Sequence, residues 1–95
     1  MPRYVSLIRF TDQGAKAIKK STARARAFAK AAKQAGVTIE AQYWTVGAYD
    51  GLLVLQAEDE QQALSVLTQL AAAGNVRTET MRAFDAAEFE AIVGK

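Results

Sequence analysis

Residues 37–57, VTIEAQYWTVGAYDGLLVLQA, carry the reading on which the fold turns. Residues 37–46 alternate with period two, which predicts a strand. Val37, Ile39, Ala41, Tyr43 and Thr45 share one face; Thr38, Glu40, Gln42, Trp44 and Val46 share the other. Residues 52–57, LLVLQA, predict a second strand, apolar on both faces. Between them, Asp50-Gly51 is a hairpin pair, and Gly47 relaxes the backbone just after the strand. On this reading Tyr49 packs over the hairpin and the Asp50 carboxylate caps the turn.

On each side of the hairpin lies a helix and then a strand. Upstream, residues 3–10, RYVSLIRF, alternate Tyr4, Ser6, Ile8 and Phe10 against Val5, Leu7 and Arg9. Thr11 or Asp12 then caps a helix over residues 14–35, rich in Ala, Lys and Arg. Its expected buried stripe is Ile18, Ala25, Phe28, Ala29 and Ala32. Ser21-Thr22 interrupts it and is read as a cap for a second helical piece, and Gly36 ends it. Downstream, the acids Glu58, Asp59 and Glu60 open a second helix, where free N–H groups favour negative charge. Ala63, Leu67, Leu70 and Ala71 form its packing stripe, with Leu64 and Val66 beside them, and Gly74 ends it. Residues 76–83, VRTETMRA, predict a fourth strand, and the tail DAAEFEAIV a short helix packed through Phe89 and Ile92.

The order is β-α-β-β-α-β. With right-handed crossovers it predicts one α+β, ferredoxin-like domain over residues 1–95: a four-stranded antiparallel sheet, order 4-1-3-2, with two helices on one face. Those helices leave the other face bare, and the LLVLQA strand offers apolar side chains to both faces. A dimeric α/β-barrel type assembly, sheet against sheet, is the expected cover; the competing cover is the tail helix folded back.

Composition narrows the chemistry. The chain has no Cys and no His, which removes thiol nucleophiles, disulfides, thiolate metal sites and imidazole bases. No cofactor and no metal are expected. The absence of Cys suits a cytoplasmic protein, and no apolar run approaches membrane-spanning length. Residues 12–35 hold seven bases against one acid, and residues 36–95 three bases against nine acids. The basic segment suggests nucleic acid, but Lys16, Lys20 and Arg24 follow one line of the helix and Arg26, Lys30 and Lys33 another. LLVLQA also lacks the stacking aromatic that an RNA-binding sheet needs. The reading is against nucleic acid.

Tyr43-Trp44-Thr45-Val46-Gly47-Ala48-Tyr49-Asp50-Gly51 resembles the signature of the GYD-domain family. Gly74-Asn75-Val76-Arg77-Thr78-Glu79-Thr80-Met81-Arg82-Ala83-Phe84 resembles that family's second signature, and Ile8-Arg9-Phe10-Thr11-Asp12-Gln13-Gly14 its start. The resemblance implies a small ferredoxin-like α+β protein, and carries no settled activity with it.

Candidate pocket or motif residues are Arg9, Tyr43, Trp44, Gly47, Tyr49, Asp50, Glu79 and Arg82, with Arg9 expected to pair with Glu79 across strands. No catalytic residue is assigned. Two functions follow. One is an oligomeric binding or structural module without catalysis, with room for a small hydrophobic or anionic ligand. The other is a cofactor-independent enzyme, oxygenase- or isomerase-like, with a cavity at the helix-free face, where Asp50 would act as a base if burial raised its pKa.

Overall fold

The computed structural model describes residues 1–94. The elements are β1 (Arg3–Phe10), α1 (Asp12–Lys16), a 3-10 turn (Ile18–Lys20), α2 (Ser21–Gln34), β2 (Thr38–Trp44), β3 (Gly51–Gln56), α3 (Glu60–Ala72), β4 (Val76–Ala83) and α4 (Ala86–Val93). The strands form one antiparallel sheet in the order β2-β3-β1-β4, the ferredoxin-like arrangement. Helices α2 and α3 lie on one side, α2 against β2 and α3 against β4. The core between them and the sheet is built from Tyr4, Ala32, Val37, Leu53, Leu55, Ala57, Ala63 and Val66.

Local chemistry explains most boundaries. Thr11 accepts from the Gly14 amide and caps α1, and Asp59 accepts from the Gln62 amide and caps α3. A Schellman pair closes α2: the Val37 amide donates to the Ala32 carbonyl, and the Gly36 amide to that of Lys33. An Asp85–Glu88 capping box starts α4.

Six expectations about the helices and β2 are corrected. The first crossover breaks earlier than Ser21, into α1, a 3-10 turn and α2, so that with the tail helix α4 the described residues hold four α-helices where two were expected against the sheet. Ile18 falls in the tight turn and is exposed. Ser21 does not cap α2: Lys20 is the N-cap residue with no side-chain bond, and the Ser21 hydroxyl instead accepts from Trp44 Nε1 at 2.9 Å. In β2 a bulge separates Ile39, opposite Leu55, from Ala41, opposite Val54. One extra residue reverses the alternation, so Ile39, Gln42 and Trp44 turn to the helices while Ala41 and Tyr43 face the open side. Leu64 is exposed on α3, and Phe89 and Ile92 of α4, at 57% and 60% exposure, pack on no core.

The open face is therefore bare in the single subunit, and α4 does not cover it. From β2 to β4 it carries Ala41 and Tyr43; Leu52 and Val54; Val5 and Leu7; then Glu79 and Met81. Tyr43 and Met81 are 60% and 49% exposed, and the central four are half-buried by one another. Arg3 and Glu40 close one end with a 2.8 Å ion pair, which lowers the Glu40 pKa chiefly through that hydrogen bond.

Candidate functional site

The loop Thr45–Asp50 is anchored at the end of the sheet where β1 and β2 finish and β3 and β4 begin. Positive φ falls at Gly47 and not at Gly51, which is an extended β3 residue pairing with Trp44. Thr45 closes the loop: its amide donates to the Asp50 carbonyl at 2.9 Å and its hydroxyl to the Tyr49 carbonyl at 2.6 Å. The Asp50 carboxylate does not cap its own turn. Its Oδ2 accepts from the Phe10 amide at 2.8 Å, while the Asp50 amide donates to the Ile8 carbonyl at 2.8 Å. Asp50 therefore continues the β1–β3 ladder past the last paired strand residues.

An Asp50→Ala variant should lose about 1.5–3 kcal/mol, the usual worth of a hydrogen bond to a charged group. At this chain length the melting temperature should fall by roughly 10–20 °C. Asp50→Asn keeps an acceptor and should lose about 1 kcal/mol. Thermal unfolding followed by circular dichroism checks both; an unchanged Asp50→Ala midpoint would remove the anchoring role.

Tyr49 leaves the hairpin and lies across β1. Its hydroxyl donates to Glu79 Oε2 on β4 at 2.6 Å, and the Arg9 guanidinium lies 4.6 Å from its ring centroid. Arg9 Nε also donates to the Ala48 carbonyl at 3.1 Å. The expected Arg9–Glu79 pair does not form, because the register sets Arg9 opposite Arg77 and Leu7 opposite Glu79. Tyr49 mediates between them.

The hydrogen bond to Glu79, then burial, then the Glu79 charge raise the Tyr49 pKa above its ordinary 10.0. The fold thus favours the neutral phenol. Its contribution is fully present below pH 10.0 and is lost as pH climbs through the folded value. Tyr49→Phe should flatten that alkaline loss, read from urea midpoints across the alkaline range. Equal slopes in wild type and variant would reject the linkage.

The candidate residues therefore separate. Arg9, Tyr49 and Glu79 form one cluster on the open face, beside the Gly47 turn and the Asp50 anchor, and Tyr43 lies on the same face. Trp44 and Arg82 point to the helix side. Trp44 meets Ser21, while Arg82 stacks on Phe84, 4.7 Å from the ring centroid, and comes within 3.9 Å of Glu60.

One cavity lies on the helix side of the sheet, away from the helix-free face where the enzyme alternative would need one. Helices α2 and α3 stand over the outer strands and part above β1 and β3, leaving about 400 Å³ lined by Phe10, Phe28, Trp44, Leu53, Leu70 and Arg24 among others. Arg24 donates through Nη1 to the Ala17 carbonyl at 2.8 Å; its Nη2 is buried with no partner among the described residues. Sequence reading counted Arg24 only as part of a basic face. Its place four residues before Phe28, on the stripe side of the helix, was the available signal.

A second set of bonds was also missed. Thr11 donates through its amide to the Asn75 carbonyl at 3.1 Å and through its hydroxyl to the Gly74 carbonyl at 2.6 Å. Gln13 Nε2 donates to Ala73 O and Asn75 Oδ1, both at 3.0 Å. The three stretches 8–14, 43–51 and 74–84 thus meet at one end of the sheet.

That architecture defines a small antiparallel α+β domain whose motifs knit a sheet end and leave one face open. The GYD domain pattern matches residues 4–93, and the chain belongs to the GYD domain family. It is 33% identical over 89 residues to a Thermus thermophilus protein named "Glutamine synthetase and cystathionine beta-lyase binding protein", covering 93% of this chain and 94% of that one. It also resembles a crystal structure of a protein from Thermus thermophilus, with TM-score 0.59 and 26% identity over 90% of this chain and 96% of the other. Among the described residues no helix is long and apolar enough to cross a membrane.

Proposed function

We propose that this chain is a non-catalytic binding protein of the cytoplasm. It assembles through the open sheet face into a dimer or larger oligomer and docks on a metabolic enzyme. The observation that carries the reading is the bare apolar centre of that face, Val5, Leu7, Leu52 and Val54, bordered by Tyr43 and Met81. A polar rim around an apolar centre is the anatomy of a protein interface, and Arg3–Glu40 and Arg9–Tyr49–Glu79 supply the rim. The name of the Thermus thermophilus relative supplies the partner class: glutamine synthetase and cystathionine beta-lyase.

The hairpin residues support a binding role over an acid–base one. Asp50 spends its carboxylate on a backbone amide, and the Tyr49 phenol is held neutral by Glu79. Both side chains are thus engaged within the subunit, and a general base must instead reach the proton of a substrate.

Sedimentation velocity at micromolar concentration tests the assembly, and biolayer interferometry against purified glutamine synthetase and cystathionine beta-lyase of the same organism tests the partner. A species heavier than one subunit and saturable binding to either enzyme are expected. A single-subunit species that binds neither enzyme would refute the reading.

A further inference from the structure

We propose that the cavity between α2 and α3 is a binding site for a small amphipathic carboxylate. The apolar body lies among Phe10, Phe28, Leu53 and Leu70, and the head is received by Arg24. The inference rests on the helix side of the sheet and is independent of the open-face assembly.

Two observations on unlike features converge. The first is the cavity itself. Its volume of about 400 Å³ falls within the span of small-molecule pockets, roughly 300–1,000 Å³. Such space persists because the helices pack against the outer strands β2 and β4 and are kept apart above β1 and β3. Side-chain bonds from β2 hold α2 there: Gln42 Nε2 donates to the Ala25 carbonyl at 3.2 Å, and Trp44 Nε1 to Ser21 Oγ at 2.9 Å.

The second is Arg24, a residue of the lining. Nη1 is spent on the Ala17 carbonyl, which fixes the side chain, while Nη2 is buried without a partner among the described residues. A buried donor on a permanent cation is costly unless an acceptor reaches it. The carboxylate in the lining, Asp50, is engaged by the Phe10 amide and forms no ion pair with Arg24. A fixed cation in a largely apolar pocket selects a ligand with one anionic head and an apolar body. A sugar or nucleotide would leave its polar groups unpaired against Phe28 and Leu53.

Trp44 is the one tryptophan of the chain and lines the cavity, so its fluorescence reports occupancy directly. The probes are decanoate, its neutral analogue decan-1-ol, and acetate as the bare head. Decanoate should shift Trp44 emission saturably with one site per subunit, and acetate should not. Decan-1-ol should bind roughly tenfold more weakly, since its hydroxyl accepts from Arg24 without the negative charge that strengthens the bond. Arg24→Gln should weaken decanoate by about the same factor and affect decan-1-ol far less, since the glutamine amide can still donate to a hydroxyl. Ala25→Met, which fills the cavity and keeps the charge, should abolish both signals. No saturable response to decanoate, or equal affinity for decanoate and decan-1-ol, overturns the proposal. Should Arg24→Gln not fold, the wild-type preference and the Ala25→Met loss decide the matter.

Discussion

If the open face is the contact proposed above, Val54→Lys should yield folded single subunits. Val54 sits on the central strand β3, opposite Val5 of β1 and Ala41 of β2, at the middle of the open face. In a sheet-to-sheet pairing with two-fold symmetry each change is felt twice. Losing a buried valine costs about 1.5–3 kcal/mol per copy, before any penalty for an unpaired charge. Two copies amount to at least about 3 kcal/mol, so the dissociation constant should rise by roughly a hundredfold or more. The subunit itself should survive, because the lysine stem can lie along Val5 and Leu52 while its head reaches water. Ala72→Lys, on the exposed surface of α3, is the matched control and should change nothing. Sedimentation velocity across a dilution series reads both. Were Val54→Lys to sediment like wild type, the open face would not be the contact.

The same substitution separates assembly from the hairpin cluster. Tyr49, Arg9 and Glu79 lie on the same face towards the turn end and are linked to each other within one subunit. Tyr49→Phe removes one hydrogen bond at the rim, where contacts are partly wet, and should weaken assembly far less than Val54→Lys. A reversed order of effects would move the contact from the strand centre to the hairpin.

Strand boundaries were legible because period-two patterns survive folding unchanged: residues 3–10 and 76–83 are β1 and β4 as read. What escaped depends on contacts between distant segments. The bulge at Glu40 belongs to a pairing with Arg3, 37 residues away in sequence, and a strand read alone gives no sign that one residue will drop out of alternation. The helix break at Ala17 follows from α1 being held against Gly74 and Asn75 while α2 is aligned on β2. Glycine spacing marks helix ends but cannot report that two ends are stitched together. For the candidate site, strand order brought Arg9 near β4, yet a register displaced by two residues exchanged Glu79 for Arg77 as its opposite number. The cavity was invisible, since it arises from where helices stand and not from the residues they present.

Gly14→Ala should be the most damaging small substitution in the chain. Gly14 is buried in α1, and a Cβ built on it would lie 2.0 Å from the Asn75 carbonyl oxygen and 2.9 Å from its carbon. Both are backbone atoms, so no rotamer change relieves the contact. The same carbonyl oxygen accepts from the Thr11 amide, and Thr11 also caps α1 and binds the Gly74 carbonyl. Relief therefore means moving α1 off the start of β4 and losing these bonds together. Overpacking alone costs about 1–3 kcal/mol, and two weakened hydrogen bonds add about 1 kcal/mol each. The sum approaches half the stability of a typical domain, about 5–15 kcal/mol, and predicts a melting temperature lower by roughly 15–25 °C. Gly47→Ala makes the contrast. No atom lies within 4 Å of its added Cβ, and only the backbone angle of φ +129° opposes the change, a strain of about 1–3 kcal/mol in an exposed turn. Thermal unfolding should therefore rank Gly14→Ala below Gly47→Ala. The opposite ranking would mean that conformation at the hairpin, and not the contact between the two crossovers, holds this end of the sheet together.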